Sequence, residues 1–331
     1  MTKSKLLTGA LVIVLVLLAG GSWLLFGDST GLASFANADK YTVGDTEITS
    51  AVEKLDIDWV SGKVTIEYHA GSGISLSETA NRNTSEDEKF RWWLDGTTLR
   101  VQFAKPQLTS FNNLQKTLTV SLPEGITFKG VDIDTTSAEI SIPSMTADEI
   151  RLDTTSGNVN AEISTKKLDA SSTSGDLNIK QNGDIKTAVF SSTSGKTTFT
   201  VASADKISME STSGDIFVTV SGTVDNINLD STSGTVHPDL ADVNKAKFSS
   251  TSGGVNGTLG SFKDVNIDVT SGDVILKLPE TTGFTLDLDT KPSRLHTSLP
   301  MEIKSEDKYV YGDGSARLRI DTTSGSVHID Q

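Results

Sequence analysis

The chain of 331 residues contains no cysteine, which excludes disulfides, thiolate zinc sites, cysteine nucleophiles and a lipid-modified cysteine anchor. It is also short of basic residues: 29 Lys and Arg stand against 43 Asp and Glu, a formal net charge of -14. Contact with a phosphate backbone needs a basic footprint, so no nucleic-acid partner is expected. There are only four histidines. His69, His237, His296 and His328 fall at unrelated or solvent-facing places in the pattern described below, which offers neither a metal cluster nor a triad base. The Gly-Gly-x-Gly-x-Asp signature of calcium-binding nonapeptide solenoids is missing as well. What is present, 36% hydrophobic and 22% charged residues, suffices for a sizeable core. An acidic, cysteine-free chain rich in Thr, Ser, Asn and Gly suits the outside of a bacterium of Gram-positive type.

One long uncharged run stands at the amino terminus. Lys3 and Lys5 precede it, and Leu6 to Gly27 carry no charge. At ~1.5 Å per residue these residues make a helix of ~33 Å, one bilayer core. The lysines keep residues 1–5 cytoplasmic and send everything after Asp28 outside, with Trp23 near the outer interface. A cleaved signal peptide is the competing reading, with Ala36-Asn37-Ala38 as a small-x-small site. That site lies far beyond the apolar run, so the expectation is a single-pass anchor at 6–27 followed by a linker at 28–45.

The rest of the chain repeats itself. INLDSTSGTV at 227–236 echoes ISMESTSGDI at 207–216. Aligned on the glycine of Ser-Gly, copies fall at Gly157, Gly175, Gly195, Gly214, Gly234, Gly253 and Gly272, with Ala138 one step earlier. The steps are 18 to 20 residues. Lys291 marks a degraded copy, and isolated copies surround Gly62 and Gly325. A fixed period near 19 is the signature of a solenoid. The positions seven and five before the glycine are apolar, as in Ile207/Met209 and Ile227/Leu229, which is the alternation of a strand with one buried face. Continued alternation turns the third residue before the glycine inward (Ser192, Ser211, Ser231, Ser250). It does the same for the serine just before it: Ser156, Ser174, Ser194, Ser213, Ser233, Ser252 and Ser271. Apolar residues resume two and four places after the glycine, as at Ile216/Val218. The inward set therefore changes phase at Ser-Gly, and a tight corner is expected there, with the glycine accepting positive φ.

These features predict an all-β, parallel β-solenoid of two sheets and ~19-residue rungs, joined by polar returns such as 202–206 and 241–245. A lone rung fixes backbone at ~1–2 kcal/mol per residue. Its four or five buried side chains return only ~1.5–3 kcal/mol each, so rungs are stable only when stacked. At ~4.8 Å per rung, the regular repeats at 131–290 make a rod roughly 40 Å long. Residues 46–130 keep strand patterns without the period and concentrate Trp59, Tyr68, Phe90, Trp92, Trp93 and Phe103, which reads as an irregular β cap over an exposed edge. Residues 291–331 form a polar excursion and a closing repeat.

The Thr/Ser-x-Ser-Gly units, LTVSLPEG at 118–125 leading into GVDIDTTSAEI, LKLPETTGFTLDLDT at 276–290 and the closing IDTTSGSVHI together resemble the bacterial "putative adhesin" β-strand-repeat domain of LiaG-type cell-envelope proteins. The resemblance covers about residues 50–331. It implies an exported or membrane-anchored β-solenoid tied to envelope stress or surface attachment, and it supplies no catalytic residues.

Two rows of side chains point outward in this reading. Thr155, Thr173, Thr193, Thr212, Thr232 and Thr251 recur two before the glycine. Asp153 and Asp230 belong to a row four before it, which also holds Asp134, Ser171, Ser191, Glu210, Ser249 and Asp268. Such a lattice can bind glycan hydroxyls, cations or ice. The plainer account is that Thr is a good exposed strand former that pairs well with itself. FRWW at 90–93 is either a sugar platform or cap core. Solenoid hydrolases place carboxylates on one rung face, which draws attention to Asp134 and Asp153, but no rung carries an acid pair absent from the others. The expectation is therefore a non-enzymatic surface scaffold without cofactor or metal, partnered by the membrane and by cell-wall glycan or another envelope protein. A polysaccharide-active enzyme and an envelope-stress sensor are the alternatives.

Overall fold

The computed structural model describes residues 37–105, 113–281, 283–289 and 295–331. The apolar run at 6–27, Ala36 and the degraded copy at Lys291 lie outside them. Apart from a 3-10 turn at Ala38–Lys40 the described residues form strands and their connections. No helix among them is long and apolar enough to cross a membrane.

The repeats stack as parallel rungs. Ile207 lies over Ile227 and Met209 over Leu229, while Ile216 lies over Val236. In the rung around Gly214 the buried residues are Ala204, Ile207, Met209, Ser211, Ile216, Val218 and Val220. The returns are more than polar loops. They hydrogen-bond as a third parallel ladder, with Ala204 against Val224, Val224 against Val243 and Val243 against Phe262. Each of these residues, ten before its glycine, is buried. The expected two-sheet cross-section is thus corrected to three sides. One buried residue in each return, apolar at Ala147, Ile185, Ala204, Val224, Val243 and Phe262 and polar at Thr165, seals the third.

The corner differs from expectation in two respects. Ser156, Ser174, Ser194, Ser213, Ser233, Ser252 and Ser271 are exposed, and the glycines take their place as the inward residues. The change of phase is absorbed by the Thr-Ser step, where both residues face out. Nor do the corner glycines adopt positive φ; in this row only Gly62 does, at 104°. What they need is space. A Cβ on Gly175 would sit 1.8 Å from the carbonyl oxygen of Gly157, and one on Gly214 2.0 Å from that of Gly195. Gly157, Gly195, Gly234, Gly253, Gly272 and Gly325 meet the rung before them in the same way. Ala138 stacks on Gly62, so the step where the row admits a methyl group is the step whose lower backbone turns differently.

The buried hydroxyl three before the glycine completes the corner. Ser211 Oγ accepts the Gly214 N–H at 2.9 Å, and Ser172, Ser231 and Ser250 serve Gly175, Gly234 and Gly253 at 2.8 to 3.0 Å. A bent segment leaves that N–H without a ladder partner, and a buried donor must find one. Where Val269 replaces the hydroxyl, the Gly272 N–H donates to the Ser324 carbonyl at 3.0 Å instead.

At both ends the rung order departs from chain order. Lys54–His69 lies directly against Phe128–Ile142, with Leu55 over Val131 and Val64 over Ile140. Its other side pairs with Thr98–Gln102 and Lys116–Pro123, so the chain lays down its second rung outside its first. At the far end Ala316–Ser324 is slotted between Val255–Ser271 and Phe284–Asp289. Antiparallel strands then close the ends: Arg91–Asp95 and Ile74–Ala80 on one, Lys308–Tyr311 and Glu302–Ser305 on the other. Short terminal strands are a known way of blunting sheet edges.

Lys116 occupies the glycine position of the outermost amino-terminal rung, paired with Gly62. With no further rung to strike, an inward side chain is allowed there, and this one plugs the core. Its Nζ lies 2.7 Å from Glu78 Oε2, donates to the carbonyls of Glu88 and Phe103, and sits 4.2 Å from the Phe103 ring centroid and 5.0 Å from that of Trp59. Burial pulls the Lys116 ammonium below its usual range, and the Glu78 carboxylate opposes that shift.

Candidate binding face

The outward row two before the glycine runs from rung to rung along the corner. The backbone N–H of each corner serine donates to the carbonyl of the threonine one rung earlier: Ser174 to Thr155 at 2.8 Å, Ser213 to Thr193 at 2.8 Å and Ser252 to Thr232 at 2.9 Å. Thr155, Thr232 and Thr251 are exposed, and Thr173, Thr193 and Thr212 are partly so. The ladder thus holds their hydroxyls at strand spacing, close to 4.8 Å.

The neighbouring row divides in two. Asp230 is exposed and accepts from Ser249 Oγ at 2.9 Å. Asp153 is only 7% exposed; its carboxylate takes Arg151 Nε at 2.6 Å and the Ser171 hydroxyl. Asp153 is therefore committed within the sheet, unlike the ligand-facing residue the pattern implied.

The amino-terminal end of this face carries an acidic patch that sequence alone did not reveal. Asp56 stands beside Asp132 and Asp58 beside Asp134 on paired strands; Asp134 adjoins Asp153 and Asp132 adjoins Arg151 in the next rung. The expectation that no rung carries a distinctive acid pair is corrected here, because the rung at 54–69 lies beside residues distant in sequence. Arg100 pairs with Asp56 and lies 3.5 Å from Asp95. Desolvation pushes Asp132 and Asp58 each up to about 7, and the surrounding aspartates push the same way. Asp58 is exposed and Asp132 half-buried, so solvent screens the shift of Asp58 more. Desolvation also raises Asp56 and Asp169, against the pull of Arg100 and Arg151 respectively. No group of His, Asp or Glu with metal-holding geometry occurs among the described residues.

A pH dependence follows. Carboxyls raised in the folded state hold protons that the unfolded chain gives up near pH 4. Their stabilising contribution is complete below that pH and is lost as pH rises through about 7, where Asp58 and Asp132 ionise. Allowing for solvent screening, the expected loss between pH 5 and 8 is about 1–3 kcal/mol. Denaturant melts at the two pH values measure it. Asp132→Asn should flatten the profile, and an unchanged slope in that variant would remove Asp132 from the account.

The histidines are also more ordered than expected. His237 stacks on Phe217 with ring centroids 4.2 Å apart, and His296 on His328 at 4.7 Å. Register places all four rings along one outward row of the strands after the corner. His69 instead closes a turn, its Nδ1 accepting the Gly71 N–H at 2.9 Å. In the FRWW segment Phe90 is buried, and Trp92 packs partly against the core. Trp93 faces out, edge-on to Tyr41 at 5.7 Å.

A three-sided parallel stack with a glycine corner that a Ser or Thr hydroxyl caps in most of the regular rungs defines a β-solenoid of the strand-repeat class. Residues 52–264 match the family described as Toastrack DUF4097, and the chain belongs to that family, which bears out the resemblance to an adhesin-like β-repeat domain. No curated protein matches the chain. Among solved structures it is similar to a "putative lipid binding protein" of Parabacteroides distasonis ATCC 8503, at 16% identity over 88% of this chain and 96% of that one, TM-score 0.43. It is similar to a "putative adhesin" of Parabacteroides merdae ATCC 43184, at 12% identity over 88% and 96%, TM-score 0.33. A "putative cell adhesion protein" of Clostridium sporogenes ATCC 15579 shows 13% identity over 88% and 100%, TM-score 0.20. At these scores the three likenesses carry no functional inference.

Proposed function

We propose that this protein is a membrane-anchored, extracellular β-solenoid acting as a non-enzymatic, adhesin-like scaffold in a bacterial cell envelope, of the LiaG type, with cell-wall glycan or another envelope protein as its partner. The reading is supported chiefly by the regular row of outward threonine hydroxyls, held rung by rung through the Ser-to-Thr backbone ladder. A periodic array of hydroxyls beside exposed Asp230 and partly exposed Ser249 matches a polymer that presents hydroxyls at repeating intervals. The uncharged run at 6–27 supports anchoring, and the lysines before it support export of the remainder.

The acidic patch favours a second reading. Glycoside hydrolysis uses one carboxylic acid with a raised pKa beside an ionised carboxylate, and Asp132 and Asp58 have the first property. Incubation of the purified protein with cell-wall glycans separates the two. The scaffold reading expects glycan retention that weakens when Thr193, Thr212 and Thr232 are changed together to alanine, with no release of reducing ends. Release of reducing ends that Asp132→Asn abolishes would replace it with the enzyme reading.

A further inference from the structure

The carboxyl-terminal end of the solenoid closes with the hairpin of Glu302–Ser305 and Lys308–Tyr311. Lys308–Tyr311 pairs on its far side with Phe284–Asp289, whereas Glu302–Ser305 has no second strand partner among the described residues. Leu286 faces the core, Tyr309 pairs with Leu286, and Ile303 pairs with Tyr309. The inward apolar row thus runs past the last full rung and ends at Ile303, which is 70% exposed. Ile275, the other exposed large aliphatic among the described residues, is 38% exposed.

The charges flanking Ile303 identify what covers it. Glu302 and Lys304 lie on one side of the strand, 2.6 Å apart. When two copies of Glu-Ile-Lys pair antiparallel about a twofold axis through Ile303, each Glu302 falls opposite the other copy's Lys304, and the two isoleucines face each other. Directly opposed residues on antiparallel strands place their Cβ atoms ~4.5–5.5 Å apart, where opposite charges and apolar pairs both stabilise. The segment is therefore complementary to itself in the one arrangement that a twofold interface requires. A plain edge-blunting lysine would not need a glutamate two residues away.

We infer that the Glu302–Ser305 edge joins two copies of this chain end to end, as an antiparallel strand pair centred on Ile303. The strand is short and irregular between Ile303 and Ser305, so the contact belongs to the weak class whose population depends on concentration. On a membrane surface it would bridge two rods through the ends remote from the 54–69 rung.

The test uses the full chain in detergent, with its mass in solution measured from micromolar to near-millimolar concentration. The wild type should pass from monomer to dimer. Glu302→Lys and Lys304→Glu should each be monomeric at concentrations where the wild type is dimeric, with unchanged circular dichroism. An equimolar mixture of these two variants should restore the dimer as a heterodimer, because every opposed pair is again of opposite charge. The double variant E302K/K304E should dimerise by itself. A wild type that stays monomeric throughout overturns the inference. So does a dimer that neither single variant weakens, or a mixture that fails to associate.

Discussion

Gly214→Ala is expected to destabilise the solenoid almost as severely as Gly214→Val, by at least ~3 kcal/mol, because the first added carbon already causes the collision. The Cβ would lie 2.0 Å from the Gly195 carbonyl oxygen and 2.8 Å from its carbon. Those atoms belong to the backbone of a hydrogen-bonded rung and cannot swing aside. Gly183→Ala is the control. Gly183 has φ 79° and nothing within 4 Å of its Cβ position, so that change costs only the strain of a left-handed alanine, about 1–2 kcal/mol. Denaturant unfolding of the three variants checks the ordering. If Gly214→Ala proves as mild as Gly183→Ala, close stacking is not what excludes side chains from the corner. Each rung contacts only its neighbours, and stability in such arrays is a sum of nearest-neighbour terms. Gly214→Ala, in the middle of the stack, should therefore also split the unfolding transition, and hydrogen exchange should show faster opening in the rungs on both sides of residue 214.

Lys116→Ala carries the second large effect. The lysine side chain is fully buried and that of Glu78 is 10% exposed; removing the cation leaves a buried carboxylate with no counter-charge, at about 3–5 kcal/mol. Lys116→Met keeps the volume beneath Trp59 and Phe103 but strands the same carboxylate, so it should recover only part of the loss. Adding Glu78→Gln to Lys116→Met removes the stranded charge and should restore most of the stability. Thermal melts of the two single variants and the double variant read this directly. A double variant no better than Lys116→Met would show that the lysine acts through packing alone.

The repeat was legible because its signal is local and recurs in copy after copy. Alternation at Ile207/Met209 and Ile216/Val218 follows from strand geometry and needs no knowledge of neighbours. The repeat marks the position of the corner but not the reason for its glycine. Ser213 and Gly214 both fit a tight turn, and only the position of the Gly195 carbonyl, nineteen residues away in sequence, distinguishes a glycine chosen for conformation from one chosen for space. The buried Ser211 was expected to face inward, but its bond to the Gly214 N–H depends on where the phase change falls.

The acidic patch was hidden for a related reason. Asp56 and Asp58 sit in the isolated copy around Gly62, whose residues mark it as a rung but do not show that it stacks directly beside Asp132 and Asp134. The same holds for Lys116, which looks like an ordinary strand lysine until Gly62 is found against it. The threonine row was visible from the start, because outward residues at a fixed offset from the glycine share one face in any parallel stack.

The amino-acid sequence alone determined that this is a parallel β-solenoid with rungs of about nineteen residues, since alternating strands at a constant period bury their apolar faces only by stacking. Tertiary structure alone decided the order of rungs at the two ends, the closed third side and the gathering of aspartates at one end of the face. These depend on which distant backbone lies at a given edge, and period and alternation are the same whichever rung that is.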